Sequence, residues 1–326
     1  MKKRLIAFFC ILSLSAGLLT GCGSSGSVEP EEGTEISDSN TSGEDQSQAD
    51  SDTSQEAGTQ TVAGTTAGQE KEILVVSFGT TYNDSRQKTI AAIEEDIARA
   101  NPDYMVCRAF TSQTIIDKLA KRDGTVIDNL EQGFDRAVDA GVKTLLVQPT
   151  TTMAGSDYTT ITAEADKYQD QFDQIVVADP LLKADADYDN VAKALIEKTK
   201  DQYNGKTAIV FMGADSSHYY EKFQDAFGKA GGDHYYVGSA NRKPGCQDII
   251  AAIKDKGYEK VYLEGFTVVS GLNTNEEMAG DGKDSWKSQF EAAGYQVETN
   301  MDGLGQIPAI RQIYQTHTKE AIAKLK

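Results

Sequence analysis

Imidazole groups, the side chains best suited to binding metal ions and moving protons near neutral pH, are scarce in this sequence. The 326-residue chain contains three histidines, His218, His234 and His317. His218 follows an apolar segment that ends at Gly213, and Asp215 lies between the two. Imidazole and carboxylate groups together bind borderline divalent ions and accept protons. His218 and Asp215 are therefore residues whose chemistry suits a metal ion or a base, whereas His234 and His317 are expected at the surface.

The elements that would position such a site alternate between strands and helices from Lys71 onward. Residues 73–78 form an almost continuous apolar run, which is typical of a strand buried on both faces. A helix follows with Asp84 or Ser85 as its cap, and it stops at Asn101 before a proline. Further strands are predicted at 105–110, 144–148, 175–178 and 208–213 and near Tyr235, Val261 and Tyr295, with helices at 130–140 and near Tyr220, Ile250, Phe290 and Ile310. Such alternation predicts parallel sheets covered by helices on both faces.

The two halves of this region share a spacing of glycines. Gly141 and Gly155 are 14 residues apart, as are Gly257 and Gly271, and each pair brackets an apolar strand. The predicted fold class is therefore α/β, with two similar doubly wound lobes with parallel sheets, at about 71–200 and 201–326. Ligands of open α/β sheets bind at the carboxyl ends of the strands, so we expect a binding cleft between the lobes.

Residues 1–22 have the features of an export signal. Three basic residues precede a 15-residue apolar run that ends at Leu19, which is short for a membrane span of ~20 residues. The run continues into Thr-Gly-Cys22 and resembles the lipobox of bacterial lipoproteins. That resemblance implies that Cys22 is acylated, becomes the mature N-terminus and anchors the protein to the outer or periplasmic face of the cytoplasmic membrane. An ordinary cleaved signal peptide is the alternative.

Residues 23–70 are predicted to be a disordered tether. They contain 11 acidic residues and no Lys or Arg, and they have too few apolar side chains to offset the entropy of ordering. A flexible coil of this length spans roughly 40 Å, enough to hold a domain clear of the cell surface. An acidic interaction tail is the alternative.

The charge of the remaining region excludes some classes of partner. The chain carries a net charge of −18, to which the signal segment contributes +3 and the tether −11, leaving −10 for residues 71–326. A domain this acidic, without a basic cluster, is a poor partner for nucleic acid or anionic lipid. Within it, Cys107 and Cys246 either form a disulfide or remain as two buried thiols.

Several short motifs resemble, in the same order, those of the anaerobic sirohydrochlorin cobalt chelatases, a class II chelatase family. They are residues 75–81, 108–112, 121–124, 211–213, 284–287 and 303–305. The resemblance covers nearly all of residues 71–326. It implies a two-lobed domain with a tetrapyrrole in the cleft and, in the family, insertion of Co²⁺ during cobalamin biosynthesis.

The sequence departs from this family at the residues that carry the chemistry. Two His and one Glu face the pocket in the family, and the corresponding positions here are Ala214, Asn241 and Asn273. A further His that members often carry is replaced by Thr151. Alanine cannot ligate a metal, and asparagine offers only a neutral amide. No catalytic residue is therefore assigned at these positions.

Substitute groups lie near the altered positions. His218 is the candidate replacement ligand or base, and Asp215, Asn273 and Glu276, with Glu277 beside it, would add oxygen ligands for cobalt or another divalent ion. The alternative is that His218 opens a helix and the carboxylates are solvated loop residues.

The residues expected to contact a macrocycle are better preserved. Flat macrocycles need apolar surfaces to lie against and hydroxyl or amide donors for their carboxylates. The predicted ligand-binding residues are Phe78, Thr80, Thr81, Phe110, Thr111, Ser112, Thr151 and Met153, with Tyr82 beside them. The alternative is that the phenylalanines belong to the core and the hydroxyl residues cap strand ends.

These observations lead to two predicted functions. The first is a surface lipoprotein that binds a tetrapyrrole, a corrinoid or a metal complex, and we favour it because the general base is missing. The second is an active, exported sirohydrochlorin cobaltochelatase. A scaffold without a ligand is a third alternative, and the sequence leaves the oligomeric state open.

Overall fold

The computed structural model describes residues 69–213 and 219–325 of the chain. The predicted signal peptide at 1–22, with its Cys22, lies outside the described residues, as does the predicted tether up to residue 68. No helix in the described ranges is both long and apolar enough to cross a membrane.

The first lobe is built on a parallel sheet in the order β2-β1-β3-β4. Its strands are β1 (Lys71–Ser77), β2 (Met105–Phe110), β3 (Thr144–Pro149) and β4 (Gln174–Val177). Its helices are α1 (Asn83–Arg86), which continues through a π-helical segment (Gln87–Ala91) into α2 (Ala92–Ala100), then α3 (Gln113–Asp123), α4 (Leu130–Asp139), α5 (Ser156–Lys167) and α6 (Asp185–Thr199). β1 is buried over all but its first residue, as expected for a strand covered by helices on both faces.

The second lobe repeats this arrangement in the order β6-β5-β7-β8, again with every pairing parallel. Its strands are β5 (Thr207–Gly213), β6 (Tyr235–Ser239), β7 (Lys260–Phe266) and β8 (Gln296–Asn300). Its helical elements are α7 (Tyr219–Lys229), α8 (Cys246–Ile253), a π-helical turn (Asn273–Met278), α9 (Trp286–Ala292) and α10 (Pro308–Ile322). The predicted fold class, two similar α/β lobes with parallel sheets, is confirmed.

The last helix of each lobe packs against the other lobe. On α10, the Tyr314 hydroxyl donates to the carbonyl of Thr150 at the end of the first sheet, at 2.9 Å. On α6, Lys198 Nζ lies 2.5 Å from Glu264 of β7 in the second sheet. One cluster of buried residues consequently extends through both lobes.

The two cysteines and two of the histidines have defined surroundings. Cys107 and Cys246 are buried thiols in separate clusters and do not form a disulfide, and burial raises the pKa of Cys246 to about 12. The prediction that His317 lies at the surface is wrong. Its side chain is 6% exposed because α10 packs on α6, where His317 Nε2 lies 3.4 Å from Asp187. His234 is half-buried and stacks on Tyr203.

Candidate ligand-binding cleft

A cleft of about 810 Å³ lies where the carboxyl ends of β1, β3 and β7 meet. Its walls are formed by residues 77–82 after β1, residues 150–157 after β3 and residues 266–274 at the end of β7. The start of α3 completes one side. The cleft thus occupies the place at which open parallel sheets bind ligands.

Gly79 turns the chain from β1 into the wall of the cleft. Its φ of +95° lies in the left-handed region, and a Cβ atom there would lie 2.6 Å from Cδ2 of Phe110. Glycine is therefore required both for the turn and for the close approach. The turn leaves the flanking side chains in different settings, because Phe78 is 52% exposed whereas Thr80 is 2% exposed.

Large apolar side chains are exposed around the cleft. Phe78, Tyr82 and Leu272 all line it and are 52%, 38% and 59% exposed. In the described residues, the other large apolar side chains with comparable exposure are Val126 and Tyr203. Apolar surface concentrated at a groove is typical of a ligand-binding site.

Hydroxyl groups form much of the remaining wall. The Thr150 hydroxyl donates to Ser77 Oγ at 2.8 Å, and Thr80 Oγ1 accepts from the backbone N–H of Tyr82 at 3.3 Å. Thr151 differs from these residues, because its Oγ1 atom is buried and has no hydrogen-bond partner in the described structure. A buried hydroxyl without a partner is costly, so the Thr151 hydroxyl is suited to bond a ligand in the cleft.

Two charged residues of the cleft were missed by the sequence analysis. Lys118 on α3 and Asp157 in the first turn of α5 both line it. Burial raises the pKa of the Asp157 carboxyl, although the start of a helix favours the ionised form. The sequence feature that could have drawn attention to Asp157 is Gly155, the second glycine of the repeat, which lies two residues before it.

Behind the cleft the two lobes are in close contact. The backbone N–H of Ser270 donates to Ser85 Oγ at 2.9 Å, and both residues are buried. A Cβ atom on Gly305 would lie 2.8 Å from Cβ of Thr89, so the backbone of one lobe touches a helix of the other. These contacts hold the walls of the cleft in place before a ligand binds.

Most of the predicted ligand-binding residues lie together in this cleft. Those that line it are Phe78, Thr80, Thr81, Ser112, Thr151 and Met153. Phe110 does not, and that assignment is wrong, because its ring is fully buried beneath Gly79 in a cluster with Ile116 and Leu119. Thr111 is also not among the described residues that line the cleft, and its N–H donates to the carbonyl of Ser77 at the sheet edge.

The predicted metal-binding residues are not brought together in the described structure. Asn273 lines the cleft, whereas Asn241, Glu276 and Glu277 are exposed and are not part of the described lining. Within residues 69–213 and 219–325, no three His, Cys, Asp or Glu side chains are grouped closely enough to hold a metal ion. Three predicted positions lie outside the described residues: Ala214, Asp215 and His218.

Comparison with known proteins identifies relatives of the whole two-lobed region. The chain is 34% identical over 261 residues to the sirohydrochlorin cobaltochelatase of Salmonella typhimurium, a match that covers 77% of this chain and 96% of that protein. It is 26% identical over 264 residues to the sirohydrochlorin cobaltochelatase CbiKC of Nitratidesulfovibrio vulgaris, covering 78% and 92% of the two chains.

The fold is shared with a solved structure of lower sequence similarity. SirB from Bacillus subtilis, determined with Fe³⁺, superposes with a TM-score of 0.54 at 15% identity and covers 78% of this chain and 96% of its own. The model of the family described as cobalt chelatase (CbiK) matches residues 71–323, which include both sheets and every element lining the cleft. The chain therefore belongs to the cobalt chelatase (CbiK) family.

Proposed function

We propose that this family member binds a tetrapyrrole, a corrinoid or a related metal complex in its cleft and holds it without inserting a metal. The convergence of Phe78, Tyr82 and Leu272 on the cleft carries this proposal. A flat macrocycle presents two broad apolar faces, and covering exposed apolar side chains with such a face is favourable at roughly 25 cal/mol per Å². Aromatic rings add the geometry of stacking.

The residues at the altered family positions support binding rather than catalysis. Metal insertion requires groups that hold and partly dehydrate the ion and a base that accepts pyrrole protons. Ala214 supplies neither, and the amides of Asn241 and Asn273 are weak ligands without useful basicity.

Binding is tested by titrating the purified full chain with haem, sirohydrochlorin and a corrinoid while absorbance is recorded. Phe78→Ala and Leu272→Ala should each weaken the affinity for the bound macrocycle by about 2- to 10-fold, since Phe78 would lose a ring contact worth ~0.5–1.5 kcal/mol and Leu272 would lose apolar area covered by the ligand. Val126→Ala is the matched control, because Val126 is exposed outside the described lining of the cleft. No spectral shift with any of the three compounds would refute the proposal.

A working cobaltochelatase is the second candidate. Its support is the relative named sirohydrochlorin cobaltochelatase, which matches over 96% of its length, together with the carboxylate of Asp157 in the cleft. A carboxylate whose pKa is raised is better suited to accept a proton than an ordinary one.

An anaerobic absorbance assay of cobalt insertion into sirohydrochlorin separates the two candidates. We expect no acceleration over the metal-only control with the natural chain. We expect a clear rate with the combined variant Ala214→His, Asn241→Glu and Asn273→His, since general-base catalysis is typically worth 10²–10⁴-fold. Each change alone should do little, because residues that act as a unit are not additive. A natural rate that disappears in Asp157→Asn would instead establish the second candidate.

The proposed site of action is outside the cytoplasm, on a membrane to which Cys22 is attached. The support is the signal-like segment that ends in Leu-Thr-Gly-Cys and the acidic stretch that follows it. A binder is useful in that location, whereas an enzyme that makes a biosynthetic precursor would be separated from the other steps of its pathway.

A further inference from the structure

The charge on the cleft is unusually low for a site that would receive a polycarboxylate. Lys118 and Asp157 are the charged residues among the described lining, and their charges cancel. Eleven serine and threonine residues line the same cleft. The described walls are therefore apolar and hydroxyl-bearing, with no net positive charge to neutralise a ligand.

Arg86, Arg108 and Arg122 are not among the described residues that line the cleft, so they do not change this balance. Arg86 donates from Nη1 to the carbonyl of Thr80 at 3.2 Å, behind the wall, and is not part of the described lining. Arg108 is bound to the buried Glu94 at 2.5 Å, and Arg122 is bound to its neighbour Asp123 at 2.6 Å. Each guanidinium thus already has an acceptor, and none of the three faces the described cleft.

A ligand with many carboxylates would enter this cleft at a cost. Carboxylates removed from water need cations or several donors to compensate for lost hydration. Residues 71–326, which carry a net charge of −10, would in addition repel such a ligand during approach. Lys118 can neutralise one carboxylate only, and the hydroxyl groups of the walls could donate to the others but would leave their negative charge unbalanced.

A neutral carboxamide suits the same walls. Its N–H₂ group donates and its carbonyl accepts, and a serine or threonine hydroxyl can do either. The buried Thr151 hydroxyl without a partner and the side-chain amide of Asn273 are both placed in the cleft for such bonds.

We propose, on the basis of the binding function above, that the cleft selects macrocycles whose peripheral carboxyl groups have been converted to neutral amides. That is the chemistry of amidated corrinoids. The polycarboxylate tetrapyrroles from which corrinoids are made are disfavoured by the same walls. The binding step is thus directed at a finished, amidated macrocycle rather than at an acidic precursor.

The test compares two ligands that share one corrin ring and one cobalt ion. Cobinamide carries amide side chains, whereas cobyrinic acid carries the free acids. The full chain should bind cobinamide at least about tenfold more tightly at low ionic strength, which corresponds to about 1.4 kcal/mol. Added salt should improve the binding of cobyrinic acid by screening repulsion and should leave that of cobinamide nearly unchanged.

Three variants make the comparison specific to the cleft. Thr151→Val should weaken cobinamide binding by about fivefold, since a net hydrogen bond is lost while the shape is kept. Thr316→Val is its control, because Thr316 is an exposed threonine on α10 outside the described lining. Thr114→Lys, on the exposed start of α3 within the lining, adds a positive charge and should improve the binding of cobyrinic acid more than that of cobinamide.

The outcomes distinguish this proposal from the binding function on which it rests. Equal or tighter binding of cobyrinic acid overturns the preference for amides but leaves macrocycle binding intact. Binding of haem or sirohydrochlorin without binding of cobinamide would also overturn the preference for amides while leaving macrocycle binding intact. Absence of binding for all four compounds overturns both.

Discussion

Asp157 is a half-buried carboxyl whose ionised form is disfavoured by its surroundings. Burial raises its pKa above the ordinary value of 3.8, so the folded protein holds the proton more tightly than the unfolded chain. The resulting contribution to stability is fully present below pH 3.8 and is lost as pH rises through the raised pKa. Asp157 therefore weakens the fold at neutral pH.

Replacement of Asp157 by asparagine should for this reason raise the melting temperature at pH 7 and change it little at pH 3. Thermal melts at both pH values measure the effect. Asp185→Asn is the control of opposite sign, because Asp185 is also in the first turn of a helix but its pKa is lowered by a hydrogen bond from Lys222. An identical response of the two variants to pH would contradict the conclusion that burial raises the pKa of Asp157.

At the scale of elements, the short turn at Leu304–Gln306 packs closely against the helical segment Gln87–Ala91. Gly305→Ala should destabilise the protein by ~1–3 kcal/mol, since its new methyl group would meet Cβ and Cα of Thr89 at 2.8 and 3.0 Å. Gly228→Ala is the matched control, because Gly228 lies in α7 with no atom within 4 Å of its added Cβ. Denaturant unfolding should show that only the change at Gly305 lowers the midpoint.

Elements buried on both faces were the easiest to predict. Strands β1, β3, β5 and β7 lie close to the predicted ones because each is a largely apolar, buried run, which is typical of a parallel strand covered on both faces. Helices α3, α5 and α6 were not predicted. α5 shows the reason, since only Ile161 and Ala165 are buried along its 12 residues and its apolar periodicity is weak.

The contrast between evident strands and weakly periodic helices also explains which site residues could be predicted. Phe78 lines the cleft and could be proposed as a ligand contact because it directly follows a strand that is evident from the sequence. Phe110 was misassigned because it is the last residue of β2, still paired with Ser77 in the sheet, and its ring lies buried against Gly79. The register in which β1 pairs with β2 cannot be predicted from the two strand sequences taken separately. Lys118 and Asp157 were missed because they lie on helices that were not predicted.

For the whole molecule, attachment to a membrane is predicted to depend on a single atom, the sulfur of Cys22. Cys22→Ala should remove acylation and cleavage, so the variant should leave the membrane fraction or retain the mass of the uncleaved chain. Two acyl chains are needed for stable anchoring, at ~0.8 kcal/mol per buried methylene. Unchanged fractionation and an unchanged mass would show that Cys22 is not the attachment point.

Folding of the two-lobed region should not require residues 23–68 of the predicted tether. A chain that starts at Gln69 should melt at the same temperature as one that starts at Gly23. A start at Lys71 should lower the melting temperature, because the carbonyl of Glu70 accepts from Lys143 and Thr144 at 2.8 and 3.0 Å. Calorimetry on the three chains checks this order, and a lower value for the chain starting at Gln69 would mean that the tether contributes to stability.

The reciprocal packing of α6 and α10 has a consequence for how the molecule can open. Each lobe carries the helix that covers its neighbour's sheet, as in a domain-swapped dimer whose two subunits have been joined into one chain. A cut in the connection between α6 and β5 would leave two fragments that each lack part of their own cover and need the other to fold. Wide separation of the lobes would remove α6 and α10 from the sheets they cover and expose both sheets to solvent. We therefore expect a ligand to enter and leave through the mouth of the cleft while the lobes stay together.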